Sequence, residues 1–166
     1  MTIPFAALSA LIAALLETTV LPEIPIAGAT ADLVMVVAVV ATIMFGVEDG
    51  IVAAFVGGLL VDMLIPDRPL GAATVSLLLV TGVAILASRM LGQNKRLASV
   101  MLVILLTGVY HVLLAGVLVL TQNAQFDIQP AVVLVAAFMN GIVAFLLATL
   151  FGAIEHRFGS VDRVGW

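Results

Sequence analysis

Four side chains able to bind or move a proton, or to bridge two partners, stand inside stretches that are otherwise apolar: Glu17, Asp62, His111 and Asn140. A carboxylate can hold a cation or a proton, an imidazole can relay one, and a carboxamide can donate and accept at once. In a membrane such residues face a bundle interior or a water-filled cavity, because hydrocarbon offers them no partner. They are read here as candidates for a polar interior or pocket. Each also has a plainer reading. Asp62 is followed by only Met63, Leu64 and Ile65 before Pro66, which leaves it about 5 Å from the helix end, where hydration alone would account for it. Glu17 could pair with Arg68. His111 and Asn140 could be hydrogen-bonding glue between helices.

The arrangements that mark catalysis are missing. His111 is followed by Val112, Leu113, Leu114 and Ala115, and Glu155-His156 stands apart, so there is no H-E-x-x-H metal pair. Ser9, Ser76, Ser88 and Ser99 lack the glycines of a nucleophile elbow, and no glycine-rich phosphate loop precedes a lysine. With no cysteine in the chain, disulfides and thiolate metal sites are excluded. The reading is a protein that is not an enzyme and has no cofactor, no metal and no nucleic-acid partner.

The elements that position the four polar residues are membrane helices. Hydrophobic residues make up 64% of the 166 and charged residues 10%, whereas a soluble domain is about half apolar and a quarter charged. At about 20 residues per span there is room for roughly six spans, and continuous apolar runs exclude the alternation of a membrane barrel. The expected fold is therefore all-α, a polytopic bundle in one domain over 1–155, followed by a short cytoplasmic tail over 156–166.

Turn chemistry sets the boundaries. The first helix runs from about Ile3 to Leu21 and stops at Pro22-Glu23-Ile24-Pro25, where prolines remove amide donors. No Lys or Arg precedes it, so it reads as a retained span and not as a cleavable signal. The second spans 33–45 and the third 51–65, separated by Gly46-Val47-Glu48-Asp49-Gly50, read as an acidic solvated turn or the charged start of the third helix. About 15 residues cover only about 22 Å of a core about 30 Å thick, so both segments are short. They must be extended by flanking residues, buried by neighbours, or only partly spanning. Further helices run from about Leu70 to Met90, Ala98 to Leu120 and Ala131 to Ile154.

With the N-terminus cytoplasmic, Arg89, Lys95, Arg96, Arg157 and Arg163 fall inside and only Arg68 outside, as the positive-inside rule asks. Both termini are therefore placed in the cytoplasm. The basic loop at Lys95 and Arg96 reads as an orientation signal in contact with anionic lipid.

Small residues supply the packing seams on which membrane helices depend. Gly50, Ala54, Gly58 and Asp62 follow one another at i, i+4, widened by Gly57. Similar rows occur at Ala6, Ala10, Ala13 and Ala14, at Thr107, His111 and Ala115, and at Ala136, Asn140, Ala144 and Ala148. The glycine row is read as a packing seam that receives the single transmembrane helix of a bitopic partner.

The stretch Gly57-Gly58-Leu59-Leu60-Val61-Asp62-Met63-Leu64, followed by Leu70-Gly71, resembles the MreD family of the bacterial rod-shape system, in which a G-x-x-x-D-x-L segment ends the third hydrophobic stretch and a glycine follows. Size, layout and the acidic residue before the second span are also similar, although Ala31-Asp32 replaces the family's frequent Pro-Asp. The resemblance implies a multi-pass protein of the bacterial inner membrane. It implies a scaffold that binds an MreC-like bitopic protein and works with RodA, a penicillin-binding transpeptidase and the MreB filament in peptidoglycan synthesis and cell elongation. The family is in turn similar to the substrate-binding membrane subunits of energy-coupling-factor vitamin transporters. That is the alternative reading, and the scarcity of aromatic residues at the outer helix ends weighs against it.

Overall fold

The computed structural model describes residues 3–66, 68–89, 95–122 and 128–158. Among these residues the chain forms six α-helices: α1 (Ile3–Thr19), α2 (Leu33–Met44), α3 (Val47–Leu64), α4 (Ala72–Ser88), α5 (Lys95–Gln122) and α6 (Pro130–Phe158), with one 3-10 turn at Leu21–Glu23. The stretches Ile3–Glu23, Lys95–Gln122 and Pro130–Gly152 are each long and apolar enough to cross a membrane, and Leu33–Met44 and Ala72–Ser88 are shorter apolar helices. The all-helical, polytopic membrane architecture expected from composition is the one observed. Loop residues 92–94 and the tail beyond 158, which contains Arg163 and Trp166, lie outside the described residues.

α2 organises the bundle. Its residues are apolar on every side, and each one from Val34 to Thr42 is buried, the pattern of a helix that lies inside a protein and not at its surface. It packs against α1, α3, α4, α5 and α6. Those five surround it in the order α1, α3, α4, α5, α6, each touching the next, and the layer stays open because α1 and α6 do not meet among the described residues. The 12 residues of α2 rise only about 18 Å. Of the three ways to accommodate a short segment, burial by neighbours is the one realised.

The third helix starts earlier than a solvated acidic turn allows. Val47 opens α3, and Glu48 and Asp49 occupy its first turn, where their charge complements the helix dipole. Asp49 is buried, with 5% of its surface exposed. The chain reverses instead at Gly46, whose φ of 127° suits a residue without a side chain.

The glycine seam faces the chain's own helices. A Cβ on Gly50 would collide with the Thr42 side chain of α2, and one on Gly57 with Val34 of α2. A Cβ on Gly58 would lie 2.6 Å from the Cα of Thr74 in α4. Ala54 is fully buried on the same side. This corrects the expectation of a partner's helix along this row: α2 and α4 already occupy it.

Candidate functional site

The ends of a buried helix carry amide and carbonyl groups that no neighbouring turn can satisfy. At the start of α2 these groups are met by side chains from other helices. Asp32 is the N-cap residue but makes no cap hydrogen bond with its own side chain. Glu17, near the end of α1, accepts instead from the Val34 amide at 2.8 Å. Asn140 of α6 then closes a reciprocal pair with Asp32: its Oδ1 accepts from the Asp32 backbone amide at 2.8 Å, and its Nδ2 donates to Asp32 Oδ2 at 2.8 Å. The same Nδ2 reaches Thr107 Oγ1 of α5 at 3.2 Å. A single fully buried carboxamide thus joins the α1–α2 connection, α5 and α6.

His111 borders this network one turn along α5. Its Nδ1 lies 2.9 Å from the Thr107 carbonyl and 4.0 Å from Asp32 Oδ2. Arg68, which leads into α4, supplies the cation that acts on both Glu17 and Asp32. At the other end of α2, Lys95 Nζ donates to the Met44 carbonyl at 3.2 Å. The lysine read as a lipid contact therefore serves the terminus of the central helix, where a cation matches the dipole.

Asp62 belongs to a separate arrangement. Its two oxygens accept from the amides of Gly71, Ala73 and Thr74 and from the Thr74 hydroxyl, at 2.8 to 3.1 Å. The carboxylate near the end of α3 thus caps the start of α4, as Glu17 near the end of α1 caps the start of α2. Gly71 makes the turn possible with a φ of 98°. Close approach of α3 and α4 at Gly58 brings Asp62 within reach. Gly58, Asp62 and Gly71 therefore form one structural corner.

A cavity of about 450 Å³ lies beside the Asp32 network, at the end of the bundle opposite Lys95. Its lining comes from α5 (His111, Leu114, Ala115, Leu118), the start of α6 with its lead-in (Ile128, Gln129, Val132, Val133) and the α1–α2 connection (Ala27, Gly28). Ala27 and Gly28 are the inner residues of a tight turn closed by two hydrogen bonds of 2.9 Å between Ile26 and Ala29. Both have positive φ, 49° and 80°, and for alanine that conformation is strained.

Of the four polar residues singled out in the sequence, Glu17, His111 and Asn140 converge on the start of α2 and Asp62 does not. Only His111 lines the cavity. Sequence reasoning passed over Asp32 and Thr107 as members of this cluster. The signal for Asp32 was there, as an acid immediately before an all-apolar helix; Thr107 is separated from Asn140 by 33 positions, and nothing local betrays such a pair. Among the described residues no group of three or more acids and histidines could hold a metal ion.

The comparisons with known proteins fit this membrane architecture. No curated protein and no solved structure matches the chain. The family model of rod shape-determining protein MreD matches residues 2–154, nearly the whole length, and includes the Gly58–Asp62–Gly71 corner and every residue of the polar cluster. The chain belongs to the MreD family.

Proposed function

We propose that this MreD-family membrane protein is a non-enzymatic scaffold of the bacterial cell-elongation machinery, spanning the inner membrane several times with both termini in the cytoplasm. Membership of the family makes it a rod shape-determining membrane protein. The scaffold reading adds that it binds the transmembrane helix of an MreC-like bitopic protein, and through it supports RodA, a penicillin-binding transpeptidase and the MreB filament in peptidoglycan synthesis.

The observation that carries this reading is the open sector between α1 and α6. Five helices surround α2 where equal cylinders pack six around one, and among the described residues α1 and α6 are left without contact. The α6 side of the sector is identified by elimination: Phe138, Gly141, Ile142, Phe145 and Leu146 form a groove with Val100 and Ile104 of α5, so Met139, Val143 and Leu150 lie toward the other flank. Large apolar side chains there, including exposed Leu150, suit van der Waals packing with an apolar helix.

Affinity purification of the tagged protein from its native membrane in mild detergent tests the proposal. An MreC-like protein is expected in stoichiometric yield, reduced severalfold by Met139→Trp or Leu150→Trp and unchanged by Phe145→Trp on the α5 flank. Equal yields from all three variants would remove the α1–α6 sector as the docking place. Recovery of a coupling subunit with ATPases in place of the MreC-like protein would overturn the scaffold reading in favour of a transporter subunit.

A further inference from the structure

We infer that the cavity between the Ala27–Gly28 turn, α5 and α6 is a binding site for a small amphiphile with a hydroxyl-bearing head and an apolar body of about eight carbons. The site is separate from the α1–α6 sector, and its proposal stands without the scaffold reading. Its volume, about 450 Å³, falls within the range of small-molecule pockets.

The lining divides into two kinds of surface. Leu114, Leu118, Ile128, Val132 and Val133 present hydrocarbon from two helices. His111 and Gln129 are the side chains that offer hydrogen bonds, one from within α5 and one just before α6. His111 lies eleven residues before Gln122, about 16 Å down the helix, so the polar group sits deep between apolar walls. Its Nδ1 is met by the Thr107 carbonyl, which leaves the other ring nitrogen to water or a ligand.

The chemistry of the head follows from the imidazole. Its Nδ1 faces the Thr107 carbonyl at 2.9 Å, and a carbonyl only accepts, so Nδ1 carries the proton. With that tautomer Nε2 is left as the ring's acceptor. That nitrogen has no hydrogen-bond partner among the described residues. A hydroxyl donates to it directly. The Gln129 carboxamide can donate to and accept from hydroxyl oxygens in turn. The amides of Ala27 and Gly28 are likewise without partners among the described residues, because their turn is closed by Ile26 and Ala29 alone. The strained φ of Ala27 fixes the turn at the cavity wall, and a Cβ on Gly28 would meet nothing within 4 Å. The Asp32 carboxylate, 4.0 Å from the ring, disfavours an anionic head. Hydroxyls meet all of these conditions.

The test uses the full chain in phosphatidylcholine nanodiscs and octyl glucoside carrying a diazirine in its alkyl chain, at submicellar concentration. Saturable labelling is expected in the segments 114–118 and 128–133, suppressed by unlabelled octyl glucoside. Ala115→Trp, which fills the cavity from α5, should cut it at least tenfold, and Val132→Phe should do the same from α6, so that one misfolded variant does not decide the result. His111→Phe keeps the ring and removes the acceptor, and should lower labelling severalfold. Competition by monoglucosyl diacylglycerol, a neutral hydroxyl-bearing lipid, added to the disc would identify a membrane lipid as the source of such heads, and competition by butyl glucoside in the water a free molecule. Unsaturable labelling over the lipid-facing sides of α1 and α6, or labelling that survives both cavity-filling variants, would overturn the site. Equal labelling by a diazirine alkane without the sugar would overturn the hydroxyl requirement.

Discussion

At the scale of single residues, the carboxylates of this protein act as helix caps supplied from a neighbouring helix. Asp62 shows why the charge matters and not only the shape. It accepts four hydrogen bonds with two oxygens, which an ionised carboxylate can do and a carboxamide cannot, because the amide nitrogen would face donors. Asp62→Asn is therefore expected to destabilise the protein by about 1–3 kcal/mol, the cost of a buried donor, the Ala73 amide, left without an acceptor. Thermal unfolding in detergent measures this, and a variant as stable as the parent would show that the four bonds contribute nothing. In the sequence Asp62 looked like a residue near an interface or a cavity wall. Its partners were illegible there because Gly71, Ala73 and Thr74 offer backbone amides, which no residue identity announces.

At the scale of elements, the contrast lies between glycines that sit at crossings and glycines that do not. Gly58 allows the backbone of α3 to approach that of α4, where an added methyl group would stand 2.6 Å from the Thr74 Cα and 3.0 Å from its nitrogen. Backbone cannot rotate away as a side chain can. Gly58→Ala is expected to cost about 1–3 kcal/mol as overpacking and to weaken the Asp62 cap with it. Gly82 in α4 has nothing within 4 Å of a built Cβ, so Gly82→Ala should gain up to about 1 kcal/mol from helix propensity. The two alanine variants are compared in one unfolding series, and equal midpoints would refute the crossing argument. The glycine row and its i+4 spacing were plain in the sequence, as were the six helices and most of their ends. Periodicity reveals that a face is narrow, but the neighbour that fills it depends on the order of the helices in space. For the same reason the central position of α2 was open: a run of apolar residues from Leu33 to Met44 is compatible with lipid on one side, and only five surrounding helices make it a core.

At the scale of the whole molecule, the open layer raises the question of what holds α6 in register, since among the described residues it lacks α1 as a neighbour. Asn140 answers part of it by tying α6 to the start of α2 through Asp32 and to α5 through Thr107. In water a buried network of this kind would be worth several kcal/mol, but chains in a bilayer keep hydrogen-bonding partners even when tertiary structure is lost. Interhelical bonds there contribute about 1–2 kcal/mol. Asn140→Leu should accordingly lower stability by about that amount, and hydrogen exchange should rise at residues 32–34 and 130–140 while α3 and α4 stay protected. Asp32→Ala removes the facing carboxylate, so the double variant is expected to lose less than the sum of the two single ones, with a coupling of about 0.5–1.5 kcal/mol. Strict additivity would mean that the two groups do not act as a unit. Uniform exchange across all six helices would mean that α6 is locked by packing alone, leaving the polar cluster free for roles other than architecture. Because α6 forms one wall of both the α1–α6 sector and the cavity, the localised result would make this hydrogen-bonded pair the physical link through which occupancy of one could alter the other.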